Sequence, residues 1–121
     1  MGVTATDLAR AVAFYSLLGF PFPPFEDGAD HVESTNAGTR VMIDSVELLT
    51  GLLGEAPRPA NTSAFAVRLP VPGQVDGLVN RVAAAGHAVV TAAFDAPWGQ
   101  RYATVADPDG YRVDLYAPLP G

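Results

Sequence analysis

Two matching heptapeptides, one in each half of the chain, constrain the fold more than any other feature. "GTRVMID" (38–44) and "GYRVDLY" (110–116) share Gly, Arg and Val, with an aliphatic residue two places after the Val. Each is the second arm of a hairpin pattern: "ADHVEST" and "TRVMIDS" around "NAG", then "QRYATVA" and "YRVDLYA" around "DPDG". Both turns end on Gly, where a positive φ is easiest to adopt. An amphipathic helix precedes each hairpin. In 7–18 the stripe is Leu8, Val12 and Tyr15, with Ala11 and Leu18 beside it; Asp7 is the N-cap and Gly19 the stop. In 75–85 it is Val75, Leu78, Val79 and Val82, closed by Gly86. Short extended runs, "VTAT" and "SAFAVRL", come before the helices, and "FPFPPFE" and "HAVVTAAFD" come after them.

The order strand–helix–strand–strand–strand therefore occurs twice, over about 1–54 and 60–118, with the Pro-rich "EAPRPAN" between. A unit that occurs only twice is not a solenoid. It predicts an α+β fold: two βαβββ modules in one domain spanning 1–121, paired about a pseudo-two-fold axis. Their strands would form a curved, mixed eight-stranded sheet around a cleft, with the helices outside. A cleft of that kind is the usual place for a small ligand.

Composition narrows the function. With 49% hydrophobic and 17% charged residues, the chain folds rather than staying disordered. No apolar run approaches the roughly 20 residues needed to cross a bilayer, so no membrane partner is expected. The N-terminus has no basic region followed by an apolar core, which predicts no signal peptide and a cytoplasmic location. There are no cysteines, which excludes disulfides and thiol catalysis. A formal charge of -6 repels phosphate backbones and argues against nucleic acid. The same acidity mildly favours cationic small ligands.

Strand alternation sorts side chains between the two faces. Val41, Ile43, Phe65, Val67, Ala103, Val105, Val113 and Leu115 belong under the helices. Arg40, Met42 and Asp44 then face the cleft, as do Thr62, Ala64, Ala66, Arg68, Tyr102, Thr104, Arg112, Asp114 and Tyr116. "DPDG" is a turn and not a site: its aspartates bond the backbone and Pro108 presets φ.

The stretches "TDLARAVAFYSLLGF" and "PWGQRYATVADPDGYRVDLYAPL", with the paired-module order between them, resemble the vicinal oxygen chelate superfamily. That superfamily includes glyoxalase I, extradiol dioxygenases, fosfomycin resistance enzymes and bleomycin resistance proteins. The resemblance covers essentially the whole chain. It implies two βαβββ modules around a cavity and, in catalytic members, a divalent metal held by His, Glu or Gln. Carried over position by position, the ligand places fall on Asp114, on Met42, on Thr62 and just before Met1. Only Asp114 is a ligand for a hard cation, so no metal or other cofactor is expected. His87 follows a helix stop and His31 lies on the first hairpin; neither restores the set.

The resemblance is then to the metal-free, bleomycin-resistance-like members, which are acidic dimers that sequester a cationic aromatic drug. "PWGQR" before "DPDG" looks like theirs. It implies a homodimer that binds a small organic molecule, an antibiotic or secondary metabolite. Trp98, Tyr102 and Tyr116 would stack on a flat ligand, and Asp114, aided by Asp44, would attract its cationic group. Thr104, Met42, Thr62, Arg40 and Arg112 complete the expected lining. A buried carboxylate needs a partner, and Arg112 and Arg40 are the nearest cations for Asp114. The competing readings are a divalent-metal-dependent lyase or dioxygenase of the glyoxalase type, and a domain whose ligand site has decayed.

Overall fold

The computed structural model describes the backbone of residues 1–121 and every side chain except that of Ala64, whose expected place on the cleft face lies outside the described residues. The chain divides into two compact units, Met1–Pro59 and Ala60–Gly121. The fold is α+β, with three helices and two open mixed sheets.

The first unit contains β1 (Gly2–Ala5), α1 (Leu8–Leu17), β2 (His31–Glu33), β3 (Met42–Ser45) and α2 (Val46–Leu53). Its sheet order is β1-β3-β2, with β1 parallel and β2 antiparallel to β3. The second unit contains β4 (Ser63–Arg68), α3 (Pro72–Ala84), β5 (Ala88–Ala96), β6 (Gln100–Ala106) and β7 (Arg112–Pro118). Its order is β4-β7-β6-β5, with β4 parallel to β7 and the remaining pairs antiparallel. Both predicted hairpins form, as β2–β3 and β6–β7.

The sheets hold three and four strands, not eight in all. The missing strand is "FPFPPFE". Pro21, Pro23 and Pro24 have no N–H to give to a ladder, so this run passes between α1 and β2 without pairing as a strand. The helix α2 was not anticipated. Ser45 starts it, its Oγ accepting from the Leu48 N–H at 3.1 Å, and Gly54 ends it at φ +86°.

The predicted helix stops work identically in the two units. The N–H of the residue after each glycine returns to the carbonyl five residues back, Phe20 to Tyr15 and His87 to Val82, each at 3.1 Å. Gly19 and Gly86 make this possible with φ of +99° and +87°. Asp7 caps α1 through the Arg10 N–H at 3.2 Å. On α1 the buried stripe is Ala11, Phe14, Tyr15 and Leu18, while Leu8 and Val12 are half-buried. The aromatic pair Phe14 and Tyr15, centroids 4.9 Å apart, has turned the helix toward its bulkier side. Val75, Leu78, Val79 and Val82 of α3 are buried as expected. Opposite them in the core lie Ala103, Val105, Val113 and Leu115, each fully buried. This leaves the other face of β4-β7-β6-β5 to carry the polar and aromatic residues described next.

Candidate functional site

Asp114 sits in the middle of β7, with β6 on one side and β4 on the other. Its registered neighbours are Thr104 and Ala66. Three hydroxyls donate to its carboxylate. Ser63 and Thr104 meet Oδ1, the latter at 2.8 Å, and Tyr102 meets Oδ2. Each hydroxyl arrives from a different rung: Tyr102 and Thr104 project from alternate positions of β6, and Ser63 begins β4. A bulge between Ser63 and Phe65 sets the approach of Ser63. Among the described residues no cation pairs with Asp114.

This corrects one expectation. Arg112 stands on the same face, two residues away, but turns toward the strand end and donates to the Asn61 carbonyl at 2.8 Å. Arg40, in the first unit, bonds the Glu33 carboxylate at 3.1 Å and the Asn36 carbonyl at 2.9 Å. The partnering of Asp114 is therefore done by neutral donors, which satisfy it without cancelling its charge. Burial, followed by the hydrogen bond and the charge of Asp114, pushes the Tyr102 phenol up to about 12. Tyr102 is thus a fixed proton donor at neutral pH, and the cluster holds one negative charge.

An aromatic group adjoins this cluster. Tyr102 packs edge-on against Trp98 at 5.3 Å and Phe94 at 6.2 Å, and those two rings meet at 6.2 Å. Trp98 occupies the tight turn between β5 and β6, where Gly99 at φ +88° returns its N–H to Ala96 at 3.0 Å. Its indole N–H donates to Gln100 Oε1 at 2.9 Å. The ring is nevertheless 58% exposed, so it does not seal the sheet edge. Tyr116, half-buried, stands one rung beyond Asp114 and faces Tyr102 in register. Arg101 points to the opposite face, where it ties Asp76 of α3 at 2.8 Å and Asp95 of β5 at 3.1 Å.

Of the residues expected from the sequence, Tyr102, Thr104 and Asp114 share one hydrogen-bonded cluster, with Trp98 and Tyr116 beside it. Thr62 is exposed and precedes β4, and the contact with Asp114 falls to Ser63 instead. Met42 is 38% exposed on β3, between Gly2 and Glu33 in register. Asp44 Oδ1 accepts from the ring N–H at His31 Nδ1 at 2.7 Å. A cavity of about 410 Å³ in the first unit, bounded by Asp7, Phe25, Asp27, Asp30 and Glu47, contains none of the expected residues. Sequence reasoning missed Ser63 and Phe94. Pairing 88–96 with 100–106 across the "PWG" turn would have found Phe94 opposite Tyr102; nothing in the sequence announced the bulge that brings in Ser63.

Asp114 already accepts three hydroxyl bonds of about four that a carboxylate can take. Around it are hydroxyls and an alanine rather than imidazole or further carboxylate. Among the described residues no three His, Asp or Glu side chains converge as a metal site would require. These residues do not fit a resident divalent ion.

Two units of this strand–helix–hairpin build, the second with a polar and aromatic open face, place the chain among α+β proteins with a duplicated module. The family model of the Glyoxalase/Bleomycin resistance protein/Dioxygenase superfamily matches residues 1–115, and the chain belongs to that superfamily. A family enzyme from Burkholderia phytofirmans superposes with a TM-score of 0.83 at 17% identity, covering 98% of this chain and 96% of that one. Lactoylglutathione lyase from Agrobacterium tumefaciens gives 0.70 at 20%, covering 97% and 90%. These likenesses are of fold. An uncharacterized protein of Mycobacterium bovis is 34% identical over 84 residues, 69% of this chain and 55% of that protein. The chain spans about half the length of the curated relatives it matches. Among the described residues no helix is long and apolar enough to cross a membrane.

Proposed function

We propose that this protein binds a small organic molecule on the open face of its second sheet, without a metal. The observation that carries this reading is the Asp114 cluster: a carboxylate satisfied by three hydroxyls, unneutralised by any described cation, beside the exposed rings of Trp98 and Phe94. A carboxylate held by neutral donors keeps its attraction for a positive group. A flat ligand gains about 0.5–1.5 kcal/mol from each aromatic contact beyond area burial. The family includes bleomycin resistance proteins by name, and sequestration of an antibiotic or secondary metabolite by a homodimer is the role this face fits best.

The family also includes dioxygenases, and a lyase is among the fold neighbours. A metal-dependent lyase or dioxygenase is therefore the reading to test against. Calorimetry with Mn²⁺, Ni²⁺, Zn²⁺ and Fe²⁺ separates them. No stoichiometric binding is expected; tight binding that Asp114→Ala abolishes returns the protein to the enzyme class. A thermal-shift screen of cationic aromatic compounds then supplies the positive arm: stabilisation of the native chain, lost in Asp114→Asn.

A further inference from the structure

The open face of the second sheet carries a second recognition group that the Asp114 cluster does not use. Arg68 is the last residue of β4. In the parallel ladder Ala66 pairs with Asp114 and Arg68 with Tyr116, so Arg68 projects from the same face, one rung further along. It is exposed. No carboxylate or carbonyl among the described residues takes its guanidinium, whereas Arg40, Arg101 and Arg112 are all engaged. Its five donors are available in the planar fork that matches a carboxylate or phosphate.

The Asp114 side is, by contrast, nearly full. With two hydroxyls on Oδ1 and one on Oδ2, it has room for about one more donor. A bidentate guanidinium is a poor match for it; a single ammonium N–H is a good one. Two residues along a strand span about 6.6 Å and neighbouring strands lie about 4.8 Å apart, which separates the two backbone attachment points by about 8 Å. Tyr116 adjoins both groups on the same face, in register with Arg68 and two residues along β7 from Asp114.

From this juxtaposition we infer that the ligand of this face is zwitterionic: an ammonium at Asp114, a planar body against Tyr116 and Tyr102, and a carboxylate or phosphate gripped by Arg68. The inference rests on the binding reading above and narrows it, because a simple cation would leave Arg68 unused and repelled.

Three probes of one shape test it: benzylammonium, 4-methylbenzoate and 4-(aminomethyl)benzoate, titrated into the full chain. The chain's single Trp gives a resolved indole N–H signal in NMR, and Trp98 touches Tyr102 of the cluster. The zwitterion is expected to bind about tenfold tighter than benzylammonium, a ratio within reach of one charge-assisted pair. Arg68→Gln is expected to erase that ratio without weakening benzylammonium, and Asp114→Asn to weaken both amines. Equal affinity for the zwitterion and benzylammonium overturns the inference and leaves the Asp114 reading standing. A preference that survives Arg68→Gln also overturns it. Binding of both carboxylate probes that is indifferent to Asp114→Asn sinks the Asp114 reading instead. Silence from all three probes sinks both.

Discussion

The two units are built to one plan and diverge on one face. In each, a first strand lies parallel to the last strand of a hairpin, and a helix between them stops on a glycine with the same returning hydrogen bond. The core positions of the repeated heptapeptides match: Val41 and Ile43 in one, Val113 and Leu115 in the other, all fully buried. The outward positions do not match. Where the second unit has Asp114, the first has Met42, and no hydroxyl ring surrounds it. The lesson is that packing fixes alternate residues of a duplicated strand tightly, because each fills a core site, and leaves the residues between them free to acquire or lose a site.

The sharpest way to break this comparison is to strike the shared part. Ile43→Ala and Leu115→Ala each remove a fully buried side chain from equivalent positions, and each is expected to cost about 2–5 kcal/mol. Urea denaturation reads both. A loss under about 1 kcal/mol for either would mean that its unit can collapse around the hole, and that the two cores are not equivalent.

The divergent part predicts an asymmetry of middle size. Asp114→Met removes the acceptor shared by Ser63, Tyr102 and Thr104, of which Thr104 is 7% exposed and loses its bond outright. A cost of about 1–3 kcal/mol is expected. The reverse exchange, Met42→Asp, puts a carboxylate on a 38% exposed position and should stay within about 0.5 kcal/mol of the native chain. Equal costs in the two directions would show that Asp114 is an ordinary strand residue and its hydroxyl ring incidental.

Much of this was legible in advance, for physical reasons that differ by residue. Helix stops at Gly19 and Gly86 and the "DPDG" turn announce themselves because few residues adopt those dihedrals. In that turn Asp107 Oδ1 takes the N–H groups of Asp109 and Tyr111, both at 2.9 Å. The strand faces followed from period-two alternation. Long-range events were not legible. Arg112 chose the Asn61 carbonyl over Asp114, a choice made by the path of the chain before β4. The bulge at Ser63 moved the contact by one residue from Thr62, and one residue is enough to change the face a side chain serves. The run "FPFPPFE" looks extended by composition, yet its prolines deny it a partner, and propensity alone does not register a missing donor.

A smaller loss than that of the whole carboxylate sharpens the comparison by isolating one bond of the ring. In the folded chain the Tyr102 phenol sits at about 12, against an ordinary value near 10 in the unfolded chain. Below about pH 10 both states are protonated and the bond to Asp114 contributes in full. Between about 10 and 12 the unfolded chain releases its proton first, so the folded state binds more protons and stability falls as pH rises. Above that window the phenolate would lie against the Asp114 carboxylate, and the contribution is gone. Tyr102→Phe should therefore cost about 1 kcal/mol near pH 8, and the gap to the native chain should close as pH climbs through the window. Urea midpoints of the two proteins at a series of alkaline pH values measure the gap. Because the other tyrosines titrate in both chains, only Tyr102 separates them. A gap that stays constant through the window would mean the hydroxyl stabilises by packing rather than by its proton, and the second unit would lose the polar feature that most distinguishes it from the first.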